Sequence, residues 1–253
     1  MFNDAVWLAR KEFRHQWMGF LITIIVTIFM GMLTSGLLLS ESESAIIKLR
    51  VDSNSIFADR FLLDLIFIGM APSFATIFMA KPYLSYRVAK DDPHGKRMAV
   101  LRSLPIPVSV LALSRTLFML MILGVLALTF YGTVVAFVFV FSNSYEFMTI
   151  SEFVTFILFW FGYMLALGGM SPYIEFGKGG KILHILPFVF LGLFLVLQIT
   201  FYTYFGFGIV EKSIELVKEM GWLMTVISLS IGVMCSFGWN KLLKKRLANR
   251  DYL

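Results

Sequence analysis

The sequence predicts an all-α membrane protein of six transmembrane helices with both termini cytoplasmic, and three observations predict it. The first is composition: of 253 residues, 58% are hydrophobic and 15% charged, with a mean hydropathy of +0.82. Soluble domains run at about 45–50% apolar and about 25% charged. Too little polar surface exists here to coat a water-soluble particle, so a soluble enzyme is excluded. The second is a set of six apolar runs, each near the roughly 20 residues that a bilayer-crossing helix needs. The third is the placing of the basic residues. With the N-terminus inside, all 22 Lys and Arg except Lys48, Arg50, Arg60, Lys212 and Lys218 fall on the inner face, the bias expected of inserted proteins. The formal charge of +6 is then an insertion signal and an attraction to anionic membrane lipid; nucleic acid is not an expected partner. One transmembrane domain, 1–253, takes up the chain. The single cysteine, Cys235, leaves no disulfide framework.

Residues 1–16 read as a basic amphipathic helix in the headgroup plane. Phe2, Val6, Ala9, Phe13 and Trp17 recur every three or four positions, with Asn3, Arg10 and Arg14 on another face. A solvated basic leader is the plainer alternative. The first span, 17–39, is uncharged, and its apolar core exceeds the roughly 7–15 residues of a cleaved signal sequence. Residues 40–59 are polar and external. The second span, 61–80, holds only Asp64 as a charge, with Arg60 spaced one helical turn before it to form an ion pair.

The inner loop 81–107 carries a strong turn signal at Asp91-Asp92-Pro93-His94-Gly95. After it, Met98, Leu101 and Leu104 share one face of a short helix that Pro105 and Pro107 stop, because proline lacks the donor for the next turn. Such a helix either docks in a partner's groove by its apolar face or rests on the bilayer. The run 103–141 has no turn chemistry at its middle, so 103–112 is expected on the membrane surface and the third span at 113–141. Further spans are expected at 153–171, 182–205 and 221–240. Gln198, Tyr202, Gly206 and Gly208 make the end of the fifth run polar and glycine-rich, either a re-entrant gate or an aromatic belt. Residues 209–220 read as a short external surface helix. In the last span Ser228, Gly232 and Ser236 recur every four residues, a small-residue stripe for close helix packing.

No ionisable group stands at mid-depth to hold a coupling ion, and no nucleophile, base or metal set is buried together. The stretch Gly177–Lys181 fails as a phosphate-binding loop, since Glu175 stands where Gly is needed and Ile182 where Ser or Thr is needed. The chain is therefore expected to be neither an enzyme nor the holder of a cofactor. Any uphill work must draw on another chain.

The opening "WLARKEFR", the stretch "RMAVLRSLPIPVSVLALSRTLF" and the six-span layout together resemble the permease subunit of ABC transporters of the ABC-2 type. The resemblance implies an exporter in a bacterial cytoplasmic membrane. Two permeases, a second copy or a paralogous chain, would face each other, each docked on a cytoplasmic ABC ATPase subunit that carries ATP and Mg. It further implies that the coupling element is 98–105, Met98, Leu101, Arg102, Ser103, Leu104 and Pro105 forming the ATPase interface, with 172–181 a lesser contact and 202–220 re-entrant. Two other functions compete: a non-transporting scaffold or immunity-type protein, and a passive channel.

Overall fold

The structure is a computed structural model that describes residues 1–46, 53–84, 92–141, 148–178 and 180–250. Every regular element among them is a helix, as an apolar chain requires when its backbone groups must find partners without water. The helices are α1 (Phe2–His15), α2 (Trp17–Ile46), α3 (Ser53–Ser73), α4 (Lys81–Leu84), α5 (Pro93–Ser103), α6 (Val108–Phe141), α7 (Ile150–Gly168), α8 (Met170–Gly177), α9 (Gly180–Phe205), α10 (Ile209–Met220) and α11 (Trp222–Asn249). Among the described residues, five stretches are long and apolar enough to cross a membrane: Trp17–Leu39, Val108–Val138, Ile150–Gly177, His184–Phe205 and Trp222–Asn249. The chain is thus a multi-pass membrane protein in character.

Several expected boundaries change: α2 runs on to Ile46 and α3 starts at Ser53, and four further changes bear on the site. The run 61–80 is not one helix: α3 ends at Ser73, one residue past Pro72, and 74–80 proceed in turns closed by Thr76 N–H to Ser73 O (3.2 Å) and Ala80 N–H to Ile77 O (2.9 Å). Phe74, Ala75 and Ile77 in this turn are core residues. Residues 103–112 do not lie apart from the third span. The chain bends at 104–105, and the Pro107 carbonyl accepts from Val110 and Leu111 N–H (2.9 and 3.2 Å), so α6 starts at Val108 and runs unbroken for 34 residues, about 51 Å. The fourth run begins at Ile150 under a capping box, Thr149 and Glu152 each accepting the other's backbone N–H. The last helix continues past 240, so that the basic tail is its final turns.

The main core is aromatic. Phe67 of α3 lies 5.9 Å from Phe130 of α6 and 5.5 and 5.1 Å from Phe156 and Trp160 of α7, ring centre to ring centre. Thr23, Thr27, Thr34 and Ser35 are buried on α2, where each hydroxyl donates to the carbonyl one turn back at 2.7–2.8 Å. That local bond makes a polar side chain tolerable in an apolar layer. A second, smaller core joins Met98 of α5, Leu111 and Ala112 of α6, Phe176 of α8 and Leu243 and Leu247 of α11.

α7 and α11 pack tightly against each other at two glycines. A Cβ built on Gly232 would stand 2.4 Å from the Gly162 carbonyl oxygen, and one on Gly162 the same distance from Ser228 Oγ. Only glycine admits that approach. Across it, Thr225, Ser228 and Ser236 hydroxyls donate to the carbonyls of Thr155, Phe159 and Leu165 (2.9, 2.7 and 2.9 Å), and Trp239 Nε1 donates to that of Ala166 (3.0 Å).

Candidate functional site

Helix α5 is built by its first residues. Asp92 caps it with φ 45°, its carboxylate accepting the Gly95 N–H at 3.1 Å, and Pro93 occupies the first turn where no N–H is needed. The stretch read as a turn is therefore a helix start. At the other end Leu104 is extended (φ −85°, ψ 155°), the conformation that a following proline imposes.

The six residues expected at a docking interface divide between two faces. Met98 is fully buried in the smaller core and Leu101 packs on its edge. Arg102, Ser103, Leu104 and Pro105 are exposed, and beside them Val100 is 65% exposed and Leu104 48%. The expected face of Met98, Leu101 and Leu104 is corrected accordingly: its first two members hold α5 to the protein, and Leu104 lies beyond the helix end. The outward apolar pair is Val100 and Leu104.

The inward face of α5 meets a buried ion cluster. Glu12 of α1, only 3% exposed, accepts from Arg97 of α5 and from Arg115 of α6, and also from Gln16 Nε2 at 2.8 Å. Arg115 is equally enclosed. Its guanidinium lies 4.4 Å from the Phe176 ring centre, and its Nε and Nη2 find no acceptor among the described residues. His94 stands edge-on to Phe176 at 5.3 Å, and Tyr83 donates its hydroxyl to Glu175. Burial, then the charge of Glu175, pushes the Tyr83 hydroxyl well above its ordinary value, so it remains a donor.

α11 fastens the same helix from the other side. Arg250 pairs with Asp92 at 2.5 Å and donates to the Phe176 carbonyl at 2.7 Å, while its own carbonyl accepts from Arg102 at 2.8 Å. Contacts from α1 and from the end of α11 thus converge on α5.

Burial, then the positive charge of Arg115, lowers His94 to about 4, against about 6.5 for a free histidine. The groups around it are Arg115, Glu12, Asp92 and Arg97, with Tyr83 in ring contact. His94 is neutral in the fold and binds a proton more readily when unfolded, so its contribution is full above about pH 6.5 and is lost as pH falls towards 4. The expected result is a melting temperature that declines across that window. A His94→Phe variant should decline less; an equal slope in both proteins refutes the assignment.

Glu12 was not among the residues expected at a site. A signal existed, since Ala5 and Ala9 precede it at helical spacing and all three are buried: two small residues and an acid on one stripe mark a docked face, not a lipid-facing one. α1 accordingly packs on α6 through Ala5, Ala9 and Glu12, leaving Phe2, Val6 and Trp7 outward.

Ser228, Gly232 and Ser236 lie on the α11 face against α7 described above. Arg60 and Asp64 are given longer-range partners than each other. Arg60 bonds to Glu211 at 3.2 Å. The two Asp64 oxygens accept the N–H groups of Ile209 and Val210 (2.9 and 2.8 Å), and Gln198 Nε2 lies 3.4 Å away. A carboxylate on the first free amides of α10 sits where the helix dipole favours negative charge. Asp64 is thereby an anchor for α10. An apolar cavity of about 380 Å³ opens between α3, α7, α8 and α9, walled by Ile68, Tyr163, Leu167, Leu186, Phe190 and Phe194.

No protein-family model, curated protein or solved structure matches the chain.

Proposed function

We propose that the chain is the membrane-spanning permease subunit of an ATP-driven exporter of the ABC-2 type, with α5 as the cytoplasmic element on which a separate ATPase subunit docks. In this reading α3 and the turn after it make the sixth crossing, and both termini are cytoplasmic. The observation that carries the reading is the two-sided construction of α5. Its inner side is tied to α1 and α6 through Glu12 and to α11 through Arg250, while Val100 and Leu104 stand uncovered at its outer end. A helix that only tethers two spans needs neither. A push on that end is transmitted to three elements at once, because charged hydrogen bonds resist stretching more than apolar contacts do. ATP and Mg belong to the partner subunit, and the companion permease is a second copy or a paralogous chain.

The test uses the tagged chain purified from its native membrane. An ABC-type ATPase should co-purify in near-stoichiometric amount, and V100D with L104D should remove it while insertion and helix content persist. Leu101 is unsuitable for this test because it also packs inward. Absence of any ATPase with the wild-type chain, or retention with the double variant, refutes the reading. Full activity of the chain alone would favour a scaffold, and conductance in bilayers of pure protein a channel.

A further inference from the structure

We infer that the outer face of α1 is a binding site for the headgroup of an anionic glycerophospholipid. An open hollow of about 1010 Å³ there is lined by Trp7, Arg10, Lys11, Phe13, Arg14 and Trp17. Arg10, Lys11 and Arg14 are exposed, and Trp7 and Trp17 are 63% and 49% exposed. The aromatic and cationic side chains interleave, with Lys11 Nζ 5.1 Å from the Trp7 ring centre.

The charge on this face is one-sided. Of the two acids on α1, Glu12 points into the protein towards Arg97 and Arg115, and Asp4 pairs with the terminal ammonium of Met1 at 2.8 Å. Three cations thus face outward without an acidic partner on their own helix. A phosphate is an anion that arginine forks match with two parallel hydrogen bonds. Two features favour a lipid over a soluble polyanion. Indoles between the cations suit the boundary of apolar chain and headgroup, and the helix leads within two residues into the membrane-crossing stretch Trp17–Leu39, which fixes the hollow at the depth of the headgroups. Each cation near an anionic membrane raises affinity roughly fivefold at low salt. The site depends on membrane insertion alone and stands whether or not an ATPase partners the chain.

The experiment reconstitutes the full chain into vesicles of equal parts phosphatidylcholine and phosphatidylglycerol. The protein is then extracted in a neutral detergent, and the lipids retained are measured by mass spectrometry. The wild-type protein should keep phosphatidylglycerol over phosphatidylcholine by about tenfold or more, and added salt should erode the preference. Replacing Arg10, Lys11 and Arg14 together by Gln should bring the ratio near unity. Neutralising Lys241, Lys244 and Lys245 on α11 should lower it less than the α1 change does, and the single K11Q should lower it partly even if the triple variant folds poorly. Equal retention of both lipids by the wild type, or an unaltered ratio in the α1 variants, overturns the site. Displacement of the retained lipid by glycerol phosphate or by an acidic peptide at equal concentration would assign the hollow to a soluble anion or a protein instead, and overturns it too.

Discussion

Glu12→Gln should destabilise the protein by about 3 kcal/mol, the loss expected when one member of a buried ion cluster is removed. Arg115 is almost wholly enclosed, and Glu12 is its one carboxylate partner among the described residues. Its Nε and Nη2 find no acceptor among the described residues, so the mutation would leave a buried guanidinium facing a neutral amide oxygen and a ring face where a carboxylate had balanced its charge. Arg97 is 36% exposed at its side chain and can turn to water. The expected loss therefore falls on Arg115, and the second variant follows from that. Glu12→Leu with Arg115→Met removes both buried charges and should restore most of the stability, because apolar replacement of a whole buried pair is often neutral. Thermal unfolding in detergent measures both. A single variant as stable as the wild type, or a double variant worse than the single, means the cluster does not hold α1 to α6. Under the exporter reading, Glu12→Gln should also leave ATP hydrolysis poorly matched to transport.

Gly232→Ala and Gly162→Ala should be comparably damaging, at about 3 kcal/mol each. The added methyl meets main-chain or hydroxyl oxygen at 2.4 Å in either case. Neither helix can yield locally, so the backbones must part. Overpacking alone costs about 1–3 kcal/mol, and parting the helices also stretches the bonds from Thr225, Ser228 and Ser236, at about 0.5–1.5 kcal/mol for each one lost. Gly238→Ala on the same helix is the control, because nothing lies within 4 Å of its added methyl. It should be neutral or stabilising by up to about 1 kcal/mol. Equal melting temperatures for Gly232→Ala and Gly238→Ala would show that the tight approach contributes nothing.

The membrane class was readable from composition, because burial in lipid demands apolar side chains whatever the tertiary contacts. Element boundaries were less so, and for identifiable reasons. Pro72 was visible, but a hydropathy run does not register a break whose flanking Phe74, Ala75 and Ile77 are themselves apolar. Asp92-Pro93-His94-Gly95 carries both the turn signal and the cap-plus-proline signal of a helix start; the left-handed Asp92 satisfies both at once. The stripe of Ser228, Gly232 and Ser236 was readable because its spacing is local. The charged partners of Glu12 and Arg115, and the backbone amides that hold Asp64, lie 85 to 146 positions away in sequence. No local spacing rule reaches that far, and for Asp64 the nearest basic residue, Arg60, was the wrong place to look for what holds the carboxylate.

The bonds between α7 and α11 all run in one direction. Each donor is a side chain of α11, and each acceptor is a peptide carbonyl of α7. Replacing the side chains of α7 cannot delete an acceptor, so Gly162 apart, that partner is free to vary its outward residues. The side-chain pairing information resides in α11, and α7 adds only Gly162 to it. Sliding α11 by one position would misalign all four donors together, so the two helices behave as one plank and any rearrangement of the bundle must occur along its other seams.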